Sequence, residues 1–299
     1  MTDAGNARVQ SGELLWQAKP VGIVGMGLIG GSLGLDLMAQ GAQVRALVHR
    51  PATAERARQR HLATDVSTDP GVLEGCGLVV LALPLDRLLD PAQELVAALP
   101  PEAVITDVGS VKAPVLERWH SRVPRFVASH PMAGTAEAGV EAGVEGLFAG
   151  RPWVATPTAT TDPEALAEVR HLAEAVGAHW LTCDARSHDR AVALISHLPV
   201  LVGAALLQAA HGEAADVGGA LPALVRTLAS SGFADTTRVG GGNPELGSLM
   251  ARTNRAALLT ALATYRTSLE ELEAQLQAGQ WDALQETLAE AHQLRPEFL

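Results

Sequence analysis

The segment SHPMAGT, from Ser129 to Thr135, contains the residue best suited to acid–base chemistry. It follows a predicted strand, and His130 stands where that strand ends. An unperturbed imidazole has a pKa of about 6.5, so it accepts a hydroxyl proton near neutral pH. Loss of hydride from a carbinol needs such a base at the oxygen, and Pro131 restricts the chain beside it. An isolated histidine is more often structural, but the strand-end position favours a catalytic base.

Three further polar segments follow or interrupt apolar runs. Leu83-Pro84 ends one predicted strand, and DVGSVK at 107–112 ends another. The third, SHLP at 196–199, lies in a long apolar stretch, so His197 taken alone is predicted to be a core histidine. A polar, glycine-rich segment at 232–245 is predicted to be a loop. Its Arg238 would suit an anionic substrate, with Asp235 steering or neutralising it; the alternative is an arginine that caps a helix end.

The run VGIVGMGLIG near the N-terminus is typical of a dinucleotide-binding turn between a strand and a helix. Gly25 allows a tight bend, Gly27 lets the backbone approach a pyrophosphate, and Gly30 lets helix and strand pack closely. The helix that starts at Leu28 and Ile29 then offers N–H groups and a partial positive charge to the phosphates. A purely structural glycine turn is the alternative.

The end of the second predicted strand bears on the choice between NAD and NADP. NAD sites usually place Asp or Glu there, about 20 residues after the glycines, to bind the ribose 2′-hydroxyl. Here the strand ends in LVHR at 47–50, without an acid, and Arg50 could pair with a 2′-phosphate in bidentate fashion. The sequence therefore favours NADP, with an ordinary surface arginine as the alternative. The other residues predicted to contact the cofactor are His49, Thr53, Leu83, Pro84 and Asp107.

The elements that must position these residues alternate along the first half of the chain. Short apolar runs predict strands at 21–24, 44–48, 78–83, 104–107, 126–128, 153–155 and 179–182. Helices are predicted at 28–40, 54–59, 91–98, 112–119 and 163–176. This alternation indicates an α/β domain of Rossmann type, with a mainly parallel sheet, helices on both faces, and ligands at the carboxyl ends of the strands.

Strand signals stop after Asp184, and residues 185–210 are almost wholly apolar, interrupted at Pro199. Further on, apolar residues recur at alternating spacings of four and three, which is one helix face with heptad character: Leu258, Leu262, Tyr265, Leu269, Leu272 and Leu276. A core helix and a dimer seam both fit this face. We predict a disordered tail at 1–18, a dinucleotide-binding domain at 19–184 and an all-α substrate and dimerisation domain at 185–299. A mobile loop is predicted at 138–145.

Composition narrows the function classes. The chain has 299 residues, of which 47% are hydrophobic, and its net charge of −11 argues against nucleic acid as a partner. Cys76 and Cys183 are far apart and lack metal-site spacing, so we expect reduced thiols and no metal. The N-terminus lacks a signal-peptide pattern, and no apolar run reaches the roughly 20 residues of a membrane span. We therefore expect a soluble, cytoplasmic protein without a membrane partner.

Among 22 basic residues only Lys19 and Lys112 are lysines.

These segments together resemble the prephenate/arogenate dehydrogenase family, most closely its cyanobacterial-type, NADP-dependent arogenate members. The resemblance extends from about Val21 to at least Ala274. It rests on five motifs in the family's order: GMGLIGG at 25–31, DVGSVK at 107–112, SHPMAGT at 129–135, SHLP at 196–199 and DTTR at 235–238. HPMAGT and DVGSVK together are far more specific than the nucleotide turn.

The resemblance implies oxidative decarboxylation of a cyclohexadienol that bears a ring carboxylate, with hydride transfer to NAD(P) and aromatisation of the ring. It implies that His130 takes the proton of the ring hydroxyl and that Ser110 helps to orient His130 and the hydroxyl. It further implies that Arg238 binds a substrate carboxylate and that the protein is a homodimer formed through its helical domain. The remaining residues assigned to the substrate site are His197, Asp235 and Thr135.

Departures from the family pattern bear on the substrate. Val200 stands where many prephenate-using members have the second histidine of SHLPH, and Ala136 stands where many have a glutamate, which here follows as Glu137. Both changes remove contacts associated with prephenate, so we favour L-arogenate as substrate and L-tyrosine as product. Ala234 replaces a common arginine, which puts part of the anionic pocket in question.

Other functions remain open at this point. The first alternative is a prephenate dehydrogenase that makes 4-hydroxyphenylpyruvate with NAD(P). Pyrroline-carboxylate reductases and β-hydroxyacid dehydrogenases share the glycine turn, but the latter use a catalytic lysine in the helical half, and this chain has no lysine after Lys112. A non-catalytic NADP-sensing module is the alternative from a different class.

Overall fold

The computed structural model describes residues 15–135 and 137–298, and its larger sheet has six parallel strands. They are β1 Val21–Val24, β2 Val44–Leu47, β3 Asp65–Ser67, β4 Leu78–Leu81, β5 Val104–Asp107 and β6 Phe126–Val127. The strand order is β3-β2-β1-β4-β5-β6, and Val21 lies opposite both Val44 and Leu78. This is the predicted Rossmann-type topology, in which the order reverses between β1 and β4 and ligands bind beyond the carboxyl ends there.

A second sheet of three strands follows the first along the chain. It contains β7 Ser129–Pro131, β8 Pro152–Ala155 and β9 His179–Thr182, in that order. Strand β7 pairs antiparallel to β8, with His130 opposite Val154, while β8 and β9 are parallel. The last predicted strands therefore do not extend the large parallel sheet, and the predicted strand at 126–128 ends at Val127.

Helices connect these strands and continue to the end of the chain. The first eight are α1 Leu15–Ala18, α2 Leu28–Ala39, α3 Pro51–Gln59, α4 Leu85–Leu89, α5 Gln93–Ala98, α6 Ala113–Trp119, α7 Pro163–Ala175 and α8 Ala185–Val192. The others are α9 Leu198–Val217, α10 Leu221–Leu228, α11 Ser231–Thr237, α12 Pro244–Thr253, α13 Arg255–Gln277 and α14 Trp281–Leu294. Short 3₁₀ turns lie at Pro70–Leu73 and Arg295–Glu297.

The large sheet is buried on both faces, as predicted. Val21 and Ile23 of β1 belong to one core cluster, and Val24 belongs to the other. Because successive side chains of a strand point to opposite faces, this alternation shows a core on each side of the sheet. Such double burial explains why β1 and β4 read as continuous apolar runs.

Contacts within the chain define two compact units. The first comprises the chain up to Val192 together with Gly241–Thr253, and it holds both sheets. The second comprises Ala193–Gly240 and the chain from Asn254 onward, and it is helical.

Pro199 does not interrupt its helical stretch as predicted. Ala193–His197, five residues immediately before α9, adopt a π-helix, and the helical run is continuous from Ala185 to Val217. Proline lacks an N–H and clashes with the carbonyl of the preceding turn, and a π-bulge relieves this conflict without ending the helix. By length and composition, the run could cross a membrane. Of its most apolar 18-residue segment, 28% is buried inside the protein. The expectation that no segment reaches this length is therefore wrong.

The heptad face of α13 is largely exposed within the described chain. Leu258 is 4% exposed, but Leu269 and Leu276 are 52% and 53% exposed. A core helix would bury these side chains, so their exposure favours the dimer seam over the core-helix interpretation.

Two predicted irregular segments are more ordered than expected. The predicted tail included residues 15–18, but these form α1, and Trp16 is buried in the core; residues 1–14 lie outside the described residues. The loop at 138–145 contains no helix or strand, yet Arg60 donates to the carbonyl oxygens of Val140 and Gly143 at 2.5 and 2.8 Å. These bonds tie the loop to the end of α3, which the sequence pattern did not indicate.

Candidate active site

The glycine turn between β1 and α2 combines two tightly packed positions with one open position. Gly25 has a φ of +99°, and a methyl group there would lie 2.3 Å from the carbonyl oxygen of Ala82. A methyl group at Gly30 would lie 1.9 Å from the carbonyl oxygen of Gly25. At Gly27, by contrast, no heavy atom of the described residues lies within 4 Å of that position, apart from its neighbours in the chain. The turn thus packs the helix on the strand and leaves room for a pyrophosphate at Gly27.

The start of α2 provides the donors for such a group. Gly27 is the N-cap of α2, and Leu28 and Ile29 form the start of its first turn. The first N–H groups of a helix have no acceptor within the helix, so they are available to phosphate oxygens. The residues present therefore fit a dinucleotide.

Substitution of the two glycines by alanine should separate packing from binding. Gly30→Ala is expected to cost about 1–3 kcal/mol of unfolding free energy, because the new methyl group overpacks the turn. Gly27→Ala should leave stability nearly unchanged but weaken cofactor binding, because its methyl group enters the open space. Urea unfolding and a cofactor titration of each variant check this; equal stability losses in the two variants would contradict it.

The residues predicted to contact the rest of the cofactor follow β2 and β4. His49 and Arg50 are exposed after β2, and Arg50 is the N-cap of α3, in which Thr53 is half-buried. Leu83 and Pro84 follow β4, and Pro84 is the N-cap of α4. Because β1, β2 and β4 are parallel neighbours, these residues lie at the same edge of the sheet as the glycine turn.

Asp107, the last residue of β5, is a predicted cofactor contact whose side chain has partners within the protein. It is fully buried and forms an ion pair with Lys112, which is also fully buried. Its Oδ2 accepts the N–H of Gly109 at 2.8 Å, and its Oδ1 accepts the N–H of Ser129 at 3.2 Å. Burial raises the pKa of Asp107 and lowers that of Lys112, and their mutual attraction opposes both shifts. These contacts hold the Asp107 carboxylate inside the protein, and a contact of this residue with a cofactor stays a prediction.

The Asp107–Lys112 pair connects the end of β5 to the start of β7. Lys112 Nζ donates to the carbonyl oxygen of Ser129 at 2.6 Å, and Ser129 Oγ donates to the carbonyl oxygen of Asp107 at 2.9 Å. Trp153 Nε1 donates to the same Oγ at 3.0 Å. Since Asp107 marks the carboxyl end of β5, these bonds place the next residue, His130, at the carboxyl edge of the large sheet.

His130 is half-buried in β7 and contacts a second histidine. Its Nδ1 lies 3.0 Å from Nε2 of His188 on α8, and Nδ1 of His188 lies 2.8 Å from Oδ1 of Asp189. Sequence reasoning missed His188 and Asp189, because residues 185–210 were interpreted as an almost wholly apolar stretch. The polar letters ARSHDR at its beginning were the signal that would have revealed them.

Ser110 and Thr135 precede and follow His130 in the sequence. Ser110 is half-buried in the segment between β5 and α6. Thr135 is exposed after β7, where its Oγ1 accepts the N–H of Glu137 at 3.2 Å. Their roles toward a substrate stay predictions, and Ala136 lies outside the described residues.

The other predicted substrate residues belong to the second unit. His197 is 1% exposed, and its Nδ1 lies 3.1 Å from Nδ2 of Asn254. Asp235 lies in α11, and Arg238 is the C-cap of that helix; both are exposed. The predicted loop at 232–245 is therefore helical at both ends. Arg238 lies at a helix end, as the alternative interpretation of this residue expects.

The backbone beside Arg238 is fixed by a close approach of two glycines. A methyl group at Gly240 would lie 2.2 Å from the backbone nitrogen of Ala204 in α9 and 2.7 Å from Cα of Gly203. The chain after Arg238 thus packs directly on the α9 backbone. A residue with a side chain would therefore clash at position 240, which explains the glycine there.

Two family models match the chain. The prephenate dehydrogenase nucleotide-binding domain matches residues 33–182, and the prephenate dehydrogenase dimerization domain matches residues 184–290. The cyclohexadienyl dehydrogenase of Zymomonas mobilis is 30% identical over 282 residues, covering 93% of this chain and 95% of that protein. The prephenate dehydrogenase of Bacillus subtilis is 31% identical over 232 residues, covering 75% of this chain and 61% of that protein.

Solved structures show the same similarity. The arogenate dehydrogenase of Synechocystis is 40% identical, with a TM-score of 0.79 over 94% of this chain and 100% of that one. The prephenate dehydrogenase of A. aeolicus, in complex with hydroxyphenyl propionate and NAD⁺, is 26% identical, with a TM-score of 0.87 over 97% of this chain and 100% of that one. The long apolar run of α8 and α9 falls within the matched dimerisation domain. The chain is a member of the prephenate/arogenate dehydrogenase family of tyrosine biosynthesis.

Proposed function

We propose that this enzyme converts L-arogenate to L-tyrosine and CO2, with NADP as the hydride acceptor. One observation carries the proposal: the bonds between Asp107 and Ser129 place His130 at the carboxyl edge of the six-stranded sheet. The glycine turn opens at the same edge, where parallel α/β sheets bind dinucleotides. The similarity to arogenate, prephenate and cyclohexadienyl dehydrogenases supports the reaction class.

His130 would handle the proton of the reaction. It would accept the proton of the ring hydroxyl as hydride leaves the same carbon, and return it to the phenolate oxygen after CO2 departs. With the ring carboxylate ionised, arogenate loses one CO2 and one hydride, so no net proton is released. Ser110 would hold the hydroxyl toward His130. The bound nicotinamide would supply the hydride acceptor, and aromatisation makes the step essentially irreversible.

Arg238 would bind a carboxylate of the substrate. Arg238→Ala is expected to raise KM roughly ten- to a hundredfold, since a hydrogen bond to a charged group contributes about 1.5–3 kcal/mol. Steady-state kinetics check this, with Arg226→Ala, which removes an exposed arginine of α10, as the matched control. An unchanged KM in the Arg238 variant would remove this residue from the substrate site.

Arogenate is favoured over prephenate by the side chains at two positions. Val200 is half-buried in α9 and offers no hydrogen bond to a keto-acid side chain. Glu137 is displaced by one position from the usual glutamate of the family pattern. Both differences remove polar contacts associated with prephenate.

Arg50 supports NADP over NAD. It is exposed at the end of β2, where an acid would repel a 2′-phosphate and an arginine attracts it. Arg50→Ala is expected to reduce the preference for NADP by roughly tenfold or more, as loss of a charge-assisted bond implies. The ratio of kcat/KM values for the two cofactors measures this. Arg170→Ala, on the exposed side of α7, is the control, and the same ratio in both variants would exclude Arg50 from the cofactor site.

We also propose a homodimer formed through the helical unit. The exposed heptad face of α13 and the match to a dimerisation domain support it. The absence of a nucleic-acid or membrane partner and the cytoplasmic location stay predictions.

Product analysis tests the proposed function directly. Purified protein incubated with arogenate and NADP should form tyrosine, CO2 and NADPH in equal amounts. Tight NADP binding with no turnover of arogenate or prephenate would instead favour the NADP-sensing module.

A further inference from the structure

We propose that His188 and Asp189 are positioning residues that hold His130 in one tautomer, with the proton on Nδ1 and with Nε2 as the proton acceptor. This inference rests on the proposed role of His130 as the base. The three side chains form a continuous row from β7 to the start of α6, and every member belongs to the first unit.

Asp189 determines which atom donates and which accepts in each hydrogen bond of the row. An ionised carboxylate only accepts hydrogen bonds. Asp189 accepts the backbone N–H of Lys112 at 2.7 Å through Oδ1 and that of Ala113 at 2.9 Å through Oδ2. These two bonds at the start of α6 fix the plane of the carboxylate. His188 Nδ1, 2.8 Å from Oδ1, must therefore donate.

The next two bonds follow from the chemistry of imidazole. A neutral ring has one N–H and one accepting nitrogen, so a His188 that donates from Nδ1 presents Nε2 as an acceptor. His130 Nδ1 lies 3.0 Å from this Nε2, and the contact is a hydrogen bond only if His130 donates. The proton-accepting nitrogen of a neutral His130 is then Nε2, which is how an aspartate orients the histidine of a hydrolase triad.

Because His188 and Asp189 are buried, their hydrogen bonds favour one tautomer of His130 over the other. His188 is 3% exposed and Asp189 is 6% exposed, so water competes little for their hydrogen bonds. The helix α8 that carries both residues packs on α6, whose first N–H groups bind Asp189. The carboxylate also favours the imidazolium that forms when His130 takes a proton.

The tautomer of His130 can be measured without any substrate. In the ¹⁵N-labelled protein, long-range ¹H–¹⁵N spectra distinguish Nδ1–H from Nε2–H, and His130→Asn and His188→Leu assign the two rings. We expect Nδ1–H on both rings, and loss of the single His130 tautomer in His188→Leu. A proton on Nε2 of either neutral ring, or an imidazolium at His188, overturns the proposal.

Kinetics of the same variants provide the second test. His188→Leu and Asp189→Asn are expected to lower kcat about 10- to 100-fold, the range found when the hydrogen-bond partner that orients a metal-binding histidine is lost. KM should stay nearly unchanged. Val192→Ala, 2% exposed on the same helix, controls for lost packing and should keep kcat. Wild-type kcat in both variants overturns the proposal. If the wild-type protein turns over neither arogenate nor prephenate, the proposed function fails, while the NMR result still decides the tautomer.

Discussion

His130→Asn is expected to lower kcat by about 10²- to 10⁴-fold, the range for removal of a general base. An amide keeps a polar side chain in the middle of β7 but cannot take a proton near neutral pH. Cofactor affinity should change little, because the substitution leaves the proposed cofactor contacts at the glycine turn and Arg50 unchanged. The measurements are kcat at saturating substrate and the Kd for NADP by fluorescence titration.

A matched substitution controls for general effects of losing an imidazole. His179 is exposed at the start of β9 in the same small sheet, so His179→Asn should retain wild-type kcat. Wild-type activity in His130→Asn would remove His130 from the chemistry. A parallel loss of NADP affinity would show that the substitution acts on the nucleotide site.

Lys112→Met is expected to lower the free energy of unfolding by about 3–5 kcal/mol, the cost of leaving one partner of a buried ion pair alone. Asp107 is fully buried and cannot be hydrated in compensation. The carbonyl oxygen of Ser129 loses a donor as well. Urea unfolding followed by the fluorescence of Trp119 and Trp153, both fully buried in the first unit, measures this loss.

Two further variants isolate the charge effect. Adding Asp107→Asn to Lys112→Met removes the stranded carboxylate and should recover a large part of the lost stability. Lys19→Met changes the other lysine of the chain, which is exposed, and should have almost no effect. A Lys112→Met protein as stable as the Lys19→Met protein would show that the pair does not stabilise the fold.

The sequence predicts the fold correctly where the packing of the folded protein leaves a local pattern in the chain. The central strands β1 and β4 are continuous apolar runs because both faces of the sheet are covered. Gly25 and Gly30 were predicted from their spacing, and the contacts show that a side chain at either would clash with the backbone.

The parts that sequence missed depend on distant partners. Strand β3 has three residues, only one of which is apolar, and it exists because it pairs with β2. Strand β7 turns away from the parallel sheet because it pairs antiparallel to β8. Neither pairing leaves a local periodic signal.

The candidate site shows the same division. His130 was identified from its residue type and strand-end position. Asp107 is predicted to contact the cofactor because it ends a strand, but its buried ion pair with Lys112, five residues later, could not be predicted from the strand pattern. His188 reaches His130 across 58 positions of sequence, so only the fold reveals the contact.

The most direct test of the account is kcat/KM for four pairs: arogenate or prephenate, each with NADP or NAD. We predict the highest value for arogenate with NADP, with tyrosine as the product. A higher kcat/KM for prephenate with NAD would contradict both the substrate and the cofactor assigned to this enzyme.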